Sequence, residues 1–142
     1  MSHPLTTSVE RFIWELTYAC PLRCSHCYSE SGRHPATTLG REDMLRIVEL
    51  IVRTRPRSVS LSGGEPLLVP WWSEAARRIR DAGIPVTLFT SGWGMDERTA
   101  QELARSVTSV CVRFDGGTVE THERIRQRPG SFNKALVALD IL

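Results

Sequence analysis

The sequence predicts an α/β protein: a parallel (β/α) half-barrel made of the first four strand–helix units of a larger barrel. Two observations predict it. Strand-like and helix-like stretches alternate along all 142 residues. Successive strands start about 25 to 45 residues apart, the spacing that right-handed crossovers of a parallel sheet need. And every short stretch of unusual composition falls just after a predicted strand, the end at which barrels and open α/β sheets hold their ligands.

The first strand is Arg11–Thr17, RFIWELT, aromatic and branched. The connection after it runs about 20 residues, a length that marks a functional loop, and it carries Cys20, Cys24 and Cys27. Arg41–Thr54 is a helix, because Met44, Ile47, Val48 and Ile51 repeat at helical period. Pro56 stops it. Ser58–Ser62 is the second strand and runs into GGEP. Trp71–Ala82 forms the next helix, with Trp72, Ala75, Ala76 and Ile79 on one face and Gly83 as its stop. Pro85–Thr90 is the third strand and is followed by SGWG. Asp96–Ser106 is a helix with Ala100, Leu103, Ala104 and Val107 in register. Ser109–Phe114, SVCVRF, is the fourth strand, apolar enough to be covered on both faces. After DGG (Asp115–Gly117), a last helix starts near Ser131, with Ala135, Ala138, Leu139 and Leu142 in phase. Four parallel strands leave a raw edge, so residues 1–142 are expected to be the N-terminal portion of a larger domain.

Composition narrows the function classes. Hydrophobic residues make up 41% and charged residues 24%, and 18 basic against 16 acidic side chains leave a net charge of +2. That balance argues against nucleic acid or an acidic membrane as partner. Arginine supplies nearly all the basicity, with Lys134 the sole lysine, a bias that reads as codon usage. No apolar run approaches the ~20 residues of a membrane span. Met1–Glu10 lacks the basic-then-apolar pattern of a secretory signal. A reducing cytoplasm is expected, where clustered cysteines bind metal or perform chemistry.

Cys20, Cys24 and Cys27 can converge from one loop, with Pro21 stiffening the first gap. Three thiolates leave a tetrahedral ion one ligand short, as in a catalytic zinc site. They equally leave one iron of a four-iron cluster without a protein ligand. A structural zinc completed by His26 or His34, or free surface thiols, stay open at this point. The second unusual stretch is SGGEP, Ser62–Pro66. Its glycines let a ligand lie against bare backbone, strand-end carbonyls can accept from an ammonium group, and Glu65 adds a carboxylate. A tight turn without a ligand is the alternative.

CPLRCSHC followed by SLSGGEP resembles the radical S-adenosylmethionine (SAM) superfamily, whose hallmark is CxxxCxΦC plus GGE after the second strand. The stretch VRFDGGTVETHERIRQRPGSFNKAL resembles the fourth-strand region of the subgroup that carries a C-terminal cysteine-rich, SPASM-type domain. The resemblance covers nearly all of the chain beyond Glu10. It implies a partial TIM-like barrel in which Cys20, Cys24 and Cys27 hold three irons of a [4Fe–4S] cluster. The amino and carboxylate groups of SAM then chelate the fourth iron. His26, at the Φ position, contacts the adenine through its backbone, and Gly63, Gly64, Glu65 and Pro66 bind the methionine amino group. Thr90 and Ser91 are placed to touch SAM. Tyr28 either lines the SAM pocket or packs beside it. Arg113 stands where the subgroup usually has serine, and either grips the SAM carboxylate or points away.

The implied activity is reductive cleavage of SAM to a 5′-deoxyadenosyl radical that takes a hydrogen atom from substrate. The subgroup points to a peptide or protein substrate and the chemistry to a one-electron reductant such as flavodoxin or ferredoxin. The competing expectation, from another class, is a non-catalytic half-barrel module that binds zinc or a cluster. Other residues receive structural roles: Cys111 as a buried core thiol, Trp71 and Trp72 as packing groups, His122 and Arg126 as organisers of the loop after the fourth strand, and His3 and His34 as exposed side chains.

Overall fold

The computed structural model describes residues 9–142; His3 lies outside them. Four strands, β1 (Arg11–Glu15), β2 (Ser58–Ser62), β3 (Val86–Thr90) and β4 (Ser109–Val112), form one sheet in the order β1-β2-β3-β4. All three pairings are parallel, with Trp14 opposite Leu61, Leu61 opposite Leu88 and Leu88 opposite Val110. Sequential order with parallel pairing makes each connection a crossover, and α1 (Arg41–Thr54), α2 (Trp72–Asp81) and α3 (Glu97–Ser106) supply them. The expected α/β half-barrel is thus the observed one.

Strand alternation decides what each face of the sheet does. Trp14, Val59, Leu61, Val86 and Leu88 point to one face and are buried against the crossover helices. Met44, Val48 and Ile51 of α1 meet them at helical spacing, as do Trp72, Ala75, Ala76 and Ile79 of α2. Trp71, just outside α2, is 39% exposed while Trp72 is buried, so the expected packing role falls to Trp72. The opposite face carries Ile13, Ser60, Thr87, Phe89 and Cys111, and its hydroxyls pair: Thr87 Oγ1 and Ser109 Oγ are 2.8 Å apart. Cys111 is half-buried here, opposite Phe89, rather than a core thiol. The expectation that β4 is covered on both faces is corrected with it: Ser109 is exposed and the rest half-buried.

The chain ends differ from expectation in two places. Val119–Arg126 forms a helix, α4, between β4 and the last helix, α5 (Ser131–Ile141). Thr118 caps α4, its hydroxyl accepting from the Thr121 N–H at 3.3 Å. The inward side chains of α4 are His122 and Arg126, which are polar, so no apolar stripe announces it. In α5, Ala135 and Ala138 are buried, but Leu139 and Leu142 are half-exposed rather than inward. Between β2 and α2, Pro66–Leu68 makes one 3-10 turn capped by Glu65. Among the described residues, no helix is long and apolar enough to cross a membrane.

Candidate functional site: a thiol and glycine cleft at the strand ends

The loops at the carboxyl ends of the four strands surround one cleft that is open to solvent. The cysteine loop contributes Cys20, Cys24, Cys27, His26 and Tyr28; the β2 end contributes Gly63 and Gly64; Thr90, Ser91 and Arg113 come from the β3 and β4 ends. The structure therefore brings together all of the sequence-predicted site residues except Glu65 and Pro66, which do not line the cleft. Reasoning from sequence passed over the lining residues Leu22, Ser29, Ser31 and Phe89, and gave Arg126 only a loop-ordering role. For Phe89 the signal was the strand alternation itself.

The three thiols are free and differ in environment. Burial pushes the Cys20 thiol up to about 11. Burial also raises Cys24, against the pull of the neighbouring Arg126 guanidinium. At Cys27 burial acts upward too, but hydrogen bonds from Ser29 and Ser31 outweigh it and bring the thiol below its ordinary value. Ser29 Oγ lies 3.4 Å from Cys27 Sγ and 2.8 Å from Ser31 Oγ, so two hydroxyls are chained to one sulfur. Among the described residues, no three Cys, His, Asp or Glu side chains gather closely enough to hold a single metal ion. The three thiols line one shared cleft.

The glycines sit where backbone passes backbone. A Cβ on Gly64 would meet Ala19 O at 2.2 Å, and one on Gly63 would meet Thr17 O at 2.4 Å. This close approach lets the Gly64 N–H donate to Thr17 O at 2.6 Å and the Glu65 N–H to Ala19 O at 2.9 Å. The GGE stretch is thereby stitched to the start of the cysteine loop.

Glu65 is fully buried, and its carboxylate is already occupied. Oε1 accepts from Thr90 Oγ1 at 2.7 Å and from the Leu67 N–H at 3.4 Å. Oε2 accepts from the Ser91 N–H at 2.9 Å and from Ser91 Oγ at 2.5 Å. Burial raises its pKa while these bonds oppose the rise. The carboxylate is a latch between the β2 and β3 ends, and the free face of the cleft is left to bare glycine backbone.

Arg113 is exposed on the rim, its guanidinium 5.4 Å from the Phe89 ring centre, while its N–H donates to Thr90 O at 3.2 Å. Tyr28, 82% exposed, donates its hydroxyl to Glu15. His34 is exposed as expected. His122 and Arg126 order the loop after β4, as expected: His122 Nδ1 accepts from the Asp115 N–H at 3.3 Å, and burial lowers its pKa in keeping with that acceptor role. Arg126 does more: it also reaches Cys24 Sγ, at 3.8 Å.

A parallel half-barrel with three free thiols and a bare-backbone cradle on one strand-end rim defines a class: α/β barrels that bind a metal-containing cofactor at the carboxyl ends of their strands. The particular family follows from comparison with known proteins. The family model of the Radical SAM superfamily matches residues 14–142, and the chain belongs to that superfamily. An AdoMet-dependent heme synthase of Methanosarcina barkeri is 34% identical over 140 residues, 97% of this chain and 40% of that protein. The mycofactocin maturase MftC of Mycobacterium ulcerans is 34% identical over 130 residues, 91% of this chain and 35% of that protein. Streptococcus suis SuiB bound to S-adenosylmethionine superposes with a TM-score of 0.75 at 17% identity, over 94% of this chain and 32% of that one. The chain thus spans about two-fifths or less of the length of these relatives.

Proposed function

We propose that this chain is the cofactor-binding portion of a radical SAM enzyme. In this reading Cys20, Cys24 and Cys27 hold three irons of a [4Fe–4S] cluster, and the amino and carboxylate groups of SAM occupy the fourth iron. One observation carries the reading: three free thiols and a glycine cradle line the same cleft. The donor set fits, because all three thiols line one cleft beside the glycine backbone and three thiolates leave one iron of a four-iron cluster without a protein ligand.

When bound, the cluster and SAM together supply one-electron cleavage of a carbon–sulfur bond and a radical that takes hydrogen from substrate. The chain's own residues bind, orient and shield. Gly63 and Gly64 present bare backbone to the methionine ammonium group. Glu65 acts behind them, holding Thr90 and Ser91 at the cleft wall. Arg113 is a cation at the rim for the SAM carboxylate. The backbone at His26 takes the adenine edge, and Tyr28 closes that side. Leu22 and Phe89 supply apolar wall that excludes water.

The electron donor in this reading is a flavodoxin or ferredoxin, and the substrate a peptide. The peptide assignment is supported by the names of the relatives: MftC is a maturase, a second relative is a sporulation killing factor maturation protein, and SuiB has been crystallised with its precursor peptide.

Anaerobic reconstitution with iron and sulfide tests the reading. The expected product is brown, absorbs broadly near ~400 nm and holds about four irons per chain. Alanine at any of Cys20, Cys24 or Cys27 abolishes the colour, and added SAM changes the EPR signal of the reduced protein. A colourless product with one tightly held zinc supports the non-catalytic module instead.

A further inference from the structure

The helix that sequence periodicity does not reveal is bolted to the cysteine loop. At the C-terminal end of α4, Ile125 O accepts from the Ser25 N–H at 2.8 Å and Arg126 O accepts from the Arg23 N–H at 3.3 Å. The last carbonyls of a helix have no partner within it. Here the two residues that flank Cys24 supply them. The side chain of Arg126 follows the same path. It is 8% exposed and approached on three sides: Nη2 donates to Arg113 O at 3.0 Å, Nη1 lies 3.8 Å from Cys24 Sγ, and Nε stands 2.5 Å from Asp115 Oδ2, an ion pair by distance whose two atoms make no hydrogen bond. Asp115 Oδ1 is in turn 3.5 Å from His26 Nε2, back on the cysteine loop. A buried cation held on three sides cannot swing away when the charge beside it changes.

We propose that Arg126 is a positioning residue for the cysteine loop and that its charge, balanced by Asp115, sets the redox poise of the group held at Cys24. The proposal rests on the cluster assignment above. Charge and hydrogen bonds at the cluster sulfurs are among the terms that set reduction potential. A fixed cation beside one ligand sulfur favours the more negative, reduced form, and an anion beside that cation opposes it. The two residues therefore act with opposite sign, which a purely structural ion pair has no reason to do.

The test uses the 142-residue chain, the variants Arg126→Met and Asp115→Asn, and two readouts. The first is amide hydrogen exchange at Arg23 and Ser25 in metal-free protein. The second is the midpoint potential after reconstitution, with dithionite as donor of one electron per cluster and mediators to equilibrate. Arg126→Met is expected to speed exchange at Ser25 at least tenfold and to lower the reduced-to-oxidised ratio at fixed potential about tenfold, equivalent to about 59 mV for one electron. Asp115→Asn is expected to shift the ratio the other way. Unchanged potentials, or shifts of the same sign, overturn the proposal even if exchange quickens. Unchanged exchange overturns the positioning half. If Arg126→Met fails to fold by circular dichroism, Asp115→Asn decides alone: a raised potential upholds the proposal and a flat or lowered one overturns it. If the parent chain takes up no iron, the cluster assignment fails and the redox half with it, while the exchange comparison still decides positioning.

Discussion

Gly64→Ala is the sharpest probe of how the cleft is built. Gly64 has ordinary backbone angles, so left-handed strain is not at issue; the added methyl meets a wall. It would stand 2.2 Å from Ala19 O and 2.8 Å from Ala19 C, where ordinary contact begins near 3.4 Å. The two backbones must part by more than an ångström. The bonds that stitch them, Gly64 N–H to Thr17 O and Glu65 N–H to Ala19 O at 2.6 and 2.9 Å, cannot both survive that shift. An orphaned buried backbone group costs about 1–3 kcal/mol, so a loss of about 2–4 kcal/mol is expected. For a chain of this size that is a fall of about 10 °C in melting temperature. Thermal and urea melts of the metal-free protein measure it, and reconstitution of the same variant is expected to yield a weaker brown colour. A melting temperature within about 2 °C of the parent refutes the reasoning, since the close approach would then be idle.

Two further substitutions bear on neighbouring points. Glu65 has a folded-state pKa above its ordinary value of 4.5, chiefly through burial. It therefore stabilises the fold most below that value and less as pH rises through the raised one. Glu65→Gln cannot ionise, so the stability of the variant relative to the parent is expected to rise in urea melts as pH climbs above the ordinary value of 4.5. A flat difference, or one that falls with pH, contradicts the assignment. Gly40 caps α1 with extended angles and no side-chain bond, and a Cβ there meets nothing within 4 Å. Gly40→Ser is expected to gain a few tenths of a kcal/mol, about 1 °C in the thermal melt.

Most of the fold is legible in the sequence because apolar spacing and burial coincide. Met44, Val48 and Ile51 announce α1, and Trp72, Ala75, Ala76 and Ile79 announce α2. Where burial is polar, no apolar spacing marks the element. The inward residues of α4 are His122 and Arg126, partnered by Asp115, Cys24 and a carbonyl; nothing apolar repeats. The helix did leave capping signals, Thr118 before it and Arg124 and Arg126 in its last turn. The cysteines and glycines of the site were legible because their residue types have few other uses at those spacings. The work of Glu65 was not, since its partners Thr90 and Ser91 stand on the next strand end. Cys111 was misplaced for a related reason: sequence gives its alternation in β4 but not which face turns toward the cleft.

The sheet is an open ribbon, yet its rim runs in a loop. Gly64 and Glu65 join the first strand end to the second, Glu65 joins the second to the third, the Arg113 N–H joins the third to the fourth, and Arg126 returns to the first. A circuit of this kind is broken once. A first cut at any station already slackens the others, so paired substitutions at two stations should cost less than the sum of their separate effects. The pocket is better regarded as a single elastic hoop than as four independent walls.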